Sequence, residues 1–374
     1  MTLLLMLGTA FLTISSTETQ IAWNERNGIQ AFYLAEAGVE RVIAELNVDE
    51  TYAGTGGAEP SMGPGTYTTT VTPIIPPPPG SFDRKQVASF GYVPSSSAAS
   101  RAMASVEVFV ERGSQFTRAL LGRDEVEIDS GAQTDSFDST NGLYGGLNVG
   151  SDGHVGSNGI IEVDNGATVH GDATAGGTVE NEGTITGTIT NSAPEVTLDL
   201  VDASYQVPNS NTTGITVSGG EGGYDETTHK LEVGKDATVT LAEGTYYFSE
   251  VKLDQSVQMI LGGKVTIYLT GKFKADKNVS VNPNGPPTNL AIYSSGTEEI
   301  ELDQSANFWG AIYAPDAEID IDQDASLYGA AIGREIEVDS EARVHYDLAL
   351  AGQSSPNGKF RPVAATWREI VPSP

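Results

Sequence analysis

The spacing of apolar positions changes twice along the chain, and those changes divide it. Residues 1–14, MTLLLMLGTAFLTI, are almost wholly apolar. The run from Leu3 to Ile14 is shorter than the roughly 20 residues that span a bilayer. Beyond it the pattern stays helical. At 100° per residue, Ile29, Phe32, Ala35, Val39, Val42, Ile43 and Leu46 share one stripe, with Asn27, Gln30, Arg41 and Glu45 opposite, which marks an amphipathic helix. The two parts predict one helix over about residues 2–47, roughly 70 Å long at 1.5 Å per residue. Gly28 is its weakest point, since glycine costs about 1 kcal/mol relative to alanine inside a helix. The tip calls for burial among like neighbours, and the second half for a globular surface.

Residues 49–65, rich in Gly and Pro, read as a linker. GTYTTTVTPI, SFGYV and MASVEVFVER then alternate apolar and β-branched positions as strands do. They predict a small antiparallel sheet over 66–112, laid against the helix and interrupted by a stiff proline loop at Pro76–Pro79. From 113 to 350 an internal repeat takes over. IELDQSANFWGAIYA, IDIDQDASLYGAAIG and IEVDSEARVHYD align Ile300, Ile319 and Ile336, Asp303, Asp322 and Asp339, and Ala306, Ala325 and Ala342. Weaker copies are VEIDSGAQ, IEVDNGATVHGD, LEVGKDATVTLAEG and VKLDQSVQMILGG. Short strands repeating every 17–20 residues without helices predict a solenoid, one coil per repeat. In Ile300-Glu301-Leu302 the apolar pair faces inward and the acid outward. The predicted class is therefore α+β: a long N-terminal helix over 1–48, the small antiparallel sheet, and a right-handed parallel β-helix with a loop insertion at 196–230. Residues 351–374 form a tail or cap.

Charge and chemistry narrow the function classes. With 50 acidic against 20 basic residues the chain carries −30, and it has no cysteine. That excludes disulfide scaffolds, cysteine-ligated metal centres and thiol catalysis. A strongly negative surface also repels nucleic acid. The repeated aspartates are the candidate metal site. Asp303, Asp322 and Asp339 stack on successive coils, and Asp320, Asp322 and Asp324 alternate along one strand, an arrangement a hard cation such as calcium relieves. The competing reading is that each Asp starts a turn by bonding its own backbone, and DIDQDAS lacks the glycine and distal glutamate of a calcium loop. His154, His170, His229 and His345 are dispersed, and no nucleophile, metalloprotease or phosphate motif occurs. The chain reads as non-enzymatic and free of cofactors; a secreted enzyme acting on polysaccharide through paired acids is the distant alternative. Asn211 and Asn278 sit in glycosylation acceptor triplets. Glu36 falls at the edge of the helix stripe, where it needs exposure or a partner such as Arg26, Arg41 or another chain.

LLLMLGTAFLTISSTETQIAWNERNGIQAFYLAEAGVERVIAEL resembles the N-terminus of type IV pilus-assembly proteins of the PilX type. Ser15/Ser16, Glu18, Ala22, Asn24, Arg26, Ala31, Phe32, Ala35, Glu36, Ala37 and Gly38 carry the match. EGTYYFSEVKL, KVTIYLTG, FWGAIYAPDAEI and YGAAIGREIEV resemble the repetitive domain often attached to such N-termini. The resemblance implies a subunit of an extracellular, cell-surface filament, whose helix joins the filament core and whose β part lies outside. It implies an assembly helix carried by Leu3, Leu4, Leu5, Leu7, Phe11, Leu12, Ile14, Glu18, Arg26, Phe32 and Glu36. The implied partners are further copies of the chain and, before assembly, the pilus machinery and the inner membrane, into which the helix tip inserts. A minor pilin or tip adhesin holding a surface or glycan is the alternative. No basic leader precedes the apolar run, so a mature or N-truncated form is expected. Position 5 is Leu5, where many pilins carry the glutamate that registers subunits, so register falls to packing or to another acid such as Glu18.

Overall fold

The computed structural model describes residues 2–75, 83–201, 214–353, 355 and 358–370, with side chains from Phe11 onward. The proline loop Pro76–Pro79, Asn211 and the side chains of Leu3, Leu4, Leu5 and Leu7 lie outside the described residues. The chain forms two compact units, Met1–Gly113 with Ser354–Pro374, and Ser114–Gln353.

In the first unit, helix α1 (Thr2–Leu46) runs unbroken through Gly28. Its second half lies on an antiparallel sheet ordered Ser61–Met62, Gly65–Pro73, Lys85–Val93, Ala102–Arg112 and Phe360–Pro362, with Arg368–Glu369 also paired to Ala102–Arg112. The contact uses small residues. A Cβ on Gly91 meets the Ala31 carbonyl oxygen at 2.0 Å, and one on Gly38 meets Ser89 Oγ at 2.2 Å. This close approach turns the helix so that Ala31, Leu34, Ala35, Val39, Val42 and Leu46 are buried. Two positions of the expected stripe are therefore corrected: Ile29 is exposed and Asn27 is buried. The described part of the tail forms strands. Its strands Phe360–Pro362 and Arg368–Glu369 belong to this sheet, where Phe360 N–H donates to Asn47 Oδ1 at 2.6 Å.

In the second unit, strands three apart in sequence pair in parallel, so each set of three makes a rung. Glu250–Leu253, Gln258–Leu261 and Val265–Leu269 lie on Phe273–Ala275, Ser280–Val281 and Leu290–Ser294. Period-2 alternation sends Ile300, Ile319 and Ile336 inward with Leu302, Ile321 and Val338. A recurring turn ends the first strand of many rungs. Its Asp carbonyl accepts from the N–H of a buried Ala or Val three residues on, as in Asp303–Ala306, Asp322–Ala325 and Asp339–Ala342. The residue between takes a left-handed φ, +61° at Ser305 and +60° at Asp324.

The expected α+β class ending in a right-handed parallel β-helix is overturned. The chain is mostly β, 45% strand against 14% helix, with large sheets and α1 as its one α-helix among the described residues. The large sheet does not stack its rungs in chain order either. Strands Leu120–Ile128 and Gln133–Phe137 pair with Ser326–Val338 and Arg343–Asp347, near the other end of the sequence. Strands 155–190 continue outward from them. Ile215–Ser218 pairs antiparallel with Thr238–Leu241, and Gly222–Asp225 with Lys230–Val233, so part of the expected 196–230 loop is strand. The physical reason is that a repeat specifies which side chains of a rung point inward. It does not specify which rung lies beside which, because every rung offers the same ladder of N–H and C=O groups. Among the described residues no helix is long and apolar enough to cross a membrane.

Candidate functional site

The first half of α1 has no counterpart for its apolar side chains. Phe11 is 68% exposed, Ile14 56%, Ile21 59%, Ile29 52% and Tyr33 62%. At 100° per residue they fall within one stripe about 120° wide. Leu12 and Trp23 are exposed beside it. Glu18 and Glu25 sit on the midline of the stripe, and Arg26 on its flank, all three exposed. Among the described residues none of the three forms an ion pair. Arg41 pairs with Glu45 rather than with Glu36, which is half-buried. Phe32 is half-buried at the sheet's border, edge-on to Tyr33 with ring centres 6.2 Å apart.

The repeated acids form two columns across the rungs of the second unit. The first runs in register through Glu232, Lys252, Lys274, Glu301, Asp320, Glu337, Glu127, Glu162 and Glu180, with neighbours about 4.8 Å apart. Lys272 and Lys274 neutralise its Glu301, and Lys272 Nζ also lies 2.8 Å from Glu299. From Asp320 onward only carboxylates follow. Burial, then the charges of Asp339, Asp322 and Glu337, push the Asp320 carboxyl up to about 7, and its Oδ1 is buried with no hydrogen-bond partner. Burial and Asp339 likewise push Glu337 up to about 7. Asp339, Glu127 and Glu162 shift upward for the same reasons.

The second column holds the turn aspartates. Asp254, Asp276, Asp303, Asp322, Asp339, Asp129 and Asp164 each donate their N–H to the preceding rung. Asp303 Oδ1 accepts from Gln304 N–H and Asp322 Oδ1 from Gln323 N–H, both at 2.6 Å. That is turn chemistry. Asp324 belongs to neither column; it occupies the left-handed turn position and is exposed. Among the described residues no three His, Asp or Glu are gathered to hold a metal ion. Sequence reasoning missed Glu127, Glu162 and Glu180 as members of the first column. The copies holding Glu127 and Glu162 were visible as VEIDSGAQ and IEVDNGATVHGD, but chain order placed them away from Glu337, and Glu180 lies in the short strand Val179–Asn181, outside both.

Of the four histidines, His345 is buried, with Nδ1 2.7 Å from Asp135 Oδ1 and its ring packed on both Tyr144 and Tyr328, which also touch each other. Tyr144 OH donates to the other Asp135 oxygen at 2.6 Å. The trio pins the 138–149 loop and presents no nucleophile. Asn278 is exposed in a left-handed turn.

Residues 250–353 match the family model described as a domain of unknown function, DUF7305. Among curated proteins, none matches the chain. Among solved structures the chain is similar to the competence-associated pilin ComZ from Thermus thermophilus, at 14% identity and TM-score 0.30, covering 92% of this chain and 97% of that one. It is also similar to an ice-binding protein from the Antarctic ascomycete Antarctomyces psychrotrophicus, at 14% identity and TM-score 0.29, covering 65% and 100%. An ice-binding protein of Shewanella frigidimarina is similar at 12% identity and TM-score 0.28, covering 62% and 94%. At these TM-scores the likenesses decide neither the topology nor the role.

Proposed function

We propose that the chain is a structural, non-catalytic subunit of an extracellular type IV pilus-like filament, assembling through α1 and carrying its β units outside. The observation that supports this reading is the exposed stripe of Phe11, Ile14, Ile21 and Ile29, on a helix whose other half is buried against its own sheet. Burying a large apolar side chain is worth about 1.5–3 kcal/mol, while association costs about 4–15 kcal/mol. One neighbour recovers little, whereas several neighbours around one helix recover enough. The stripe therefore suits a many-helix core better than a pair. Before assembly, the reading puts the apolar tip in the inner membrane, where lipid covers what neighbouring helices cover later.

The test is cryo-electron microscopy of filaments sheared from producing cells, with a chain lacking residues 1–27 as the comparison. The reading expects the β units at every helical step and a soluble monomer from the truncation. Filaments formed by the truncated chain overturn it. Wild-type filaments that carry this chain only at an end leave it as a minor or tip subunit.

A further inference from the structure

The midline of an apolar helix stripe is a costly place for a carboxylate once the stripe is covered, unless a partner meets it. Glu18 and Glu25 occupy such positions, seven residues apart, and Arg26 is the single basic residue before Arg41. Glu25 cannot share its midline with Arg26, which points to the flank about 100° away. Tyr33 stands seven residues after Arg26 on the same flank, with its hydroxyl free to donate among the described residues. Two acids seven apart on the midline thus face two donors seven apart on the flank, eight positions further along.

We propose that the exposed stripe packs in parallel against a second copy of this chain displaced by eight residues, about 12 Å at 1.5 Å per residue, so that Glu18 meets the neighbour's position 26 and Glu25 its position 33. This rests on the filament reading and names the geometry of its interface. One shift satisfies both acids. The same shift lays Ile21 against position 29 and Ile14 against position 22, apolar on apolar. An antiparallel pair can also join 25 to 26 and 18 to 33, but it sets Phe11 against Glu40 and Ile21 against Gln30. The parallel arrangement leaves each copy with an unused stripe end, so the contact propagates instead of closing.

The absence of cysteine makes the test direct. In the full chain, Ile14→Cys with Ala22→Cys leaves both acids and Arg26 in place. After mild oxidation of filaments, denaturing gels should show a ladder of covalent multimers from the double variant, and monomer from each single variant. Dimers from the single variants mean unshifted packing and overturn the proposal, as does a double variant that stays monomeric inside intact filaments. Filaments that do not contain the chain overturn the filament reading instead. Charge exchange gives a second readout. Glu18→Arg and Arg26→Glu should each lower filament yield at least tenfold, and the two together should restore it to within about threefold. Failure of that rescue removes the 18–26 contact.

Discussion

Replacing Asp320 by Asn removes one charge from the run of carboxylates while keeping the side chain's shape. Asp320 stands in register between Glu301 and Glu337, and two unit charges about 4.8 Å apart repel by about 1 kcal/mol in water and about 3.5 kcal/mol at an effective dielectric of 20. The carboxyl is pushed up to about 7, by burial first and by Asp339 next. A shift from 3.8 to about 7 is worth about 4 kcal/mol if undiluted. Solvent reaches part of this group, so screening reduces that to about 1–2 kcal/mol. An acid whose pKa is raised by folding holds its proton longer in the folded chain than in the unfolded one. Stability is therefore greatest below about pH 4 for this group and falls as pH rises to about 7. Asp320→Asn should accordingly raise the melting temperature of the second unit by about 3–6 °C at pH 8 and leave it nearly unchanged at pH 4. Differential scanning calorimetry across that range reads both numbers. In 1 M salt, where the Debye length is about 3 Å, the part due to neighbouring charges should shrink. A gain of equal size at both pH values, or a loss at pH 8, would refute the account of a strained carboxylate.

Three further outcomes follow from packing. Gly91→Val drives a side chain into backbone, since its Cβ meets the Ala31 oxygen at 2.0 Å and the Ala35 nitrogen at 2.7 Å; a loss of at least about 2 kcal/mol should appear as faster hydrogen exchange over 31–46. Asp324→Gly should stabilise the second unit by about 0.5 kcal/mol, because an L-residue at φ +60° is strained and Gly131 and Gly166 fill the same turn position elsewhere. A calcium site using Asp324 predicts the reverse, together with a melting point that drops when a chelator is added. Residues 250–353 expressed alone should be insoluble. The segment loses Lys230–Leu241 from one edge and Leu120–Phe137 from the other, and open, apolar-backed strand edges aggregate; a soluble monomer from that segment would contradict the pairing.

Which parts of the molecule could be read from its sequence depends on how local the deciding contact is. The alignment of Ile300, Ile319 and Ile336 with Asp303, Asp322 and Asp339 is a statement about one strand and its turn, and period-2 alternation settles it within a few residues. The face that α1 buries is less local. Ile29 and Asn27 exchange roles because Gly91 and Gly38 let the sheet approach the Ala31–Ala35 side, a preference recorded in a strand about 60 residues away. Stacking order is the least local of all. Chain order puts only the tail after Arg343–Asp347, yet the sequence held a guide to the rung that pairs there. The strong copies read IELD, IDID and IEVD, and the copy that pairs with the last of them is VEID at 126–129, followed by IEVD at 161–164. On the other side, IELD stacks on FKAD at 273–276, its neighbour in the chain, and beyond it VKLD and LEVG follow, all three departing further from the strong copies. Rungs that present matched side chains to each other bury them with fewer gaps. Chain neighbours stack at every junction of the column but one, and at that one, Ser326–Val338 on Leu120–Ile128, it is the similarity of IEVD to VEID that marks the neighbour; the carboxylate column from Glu301 to Glu180 runs across it.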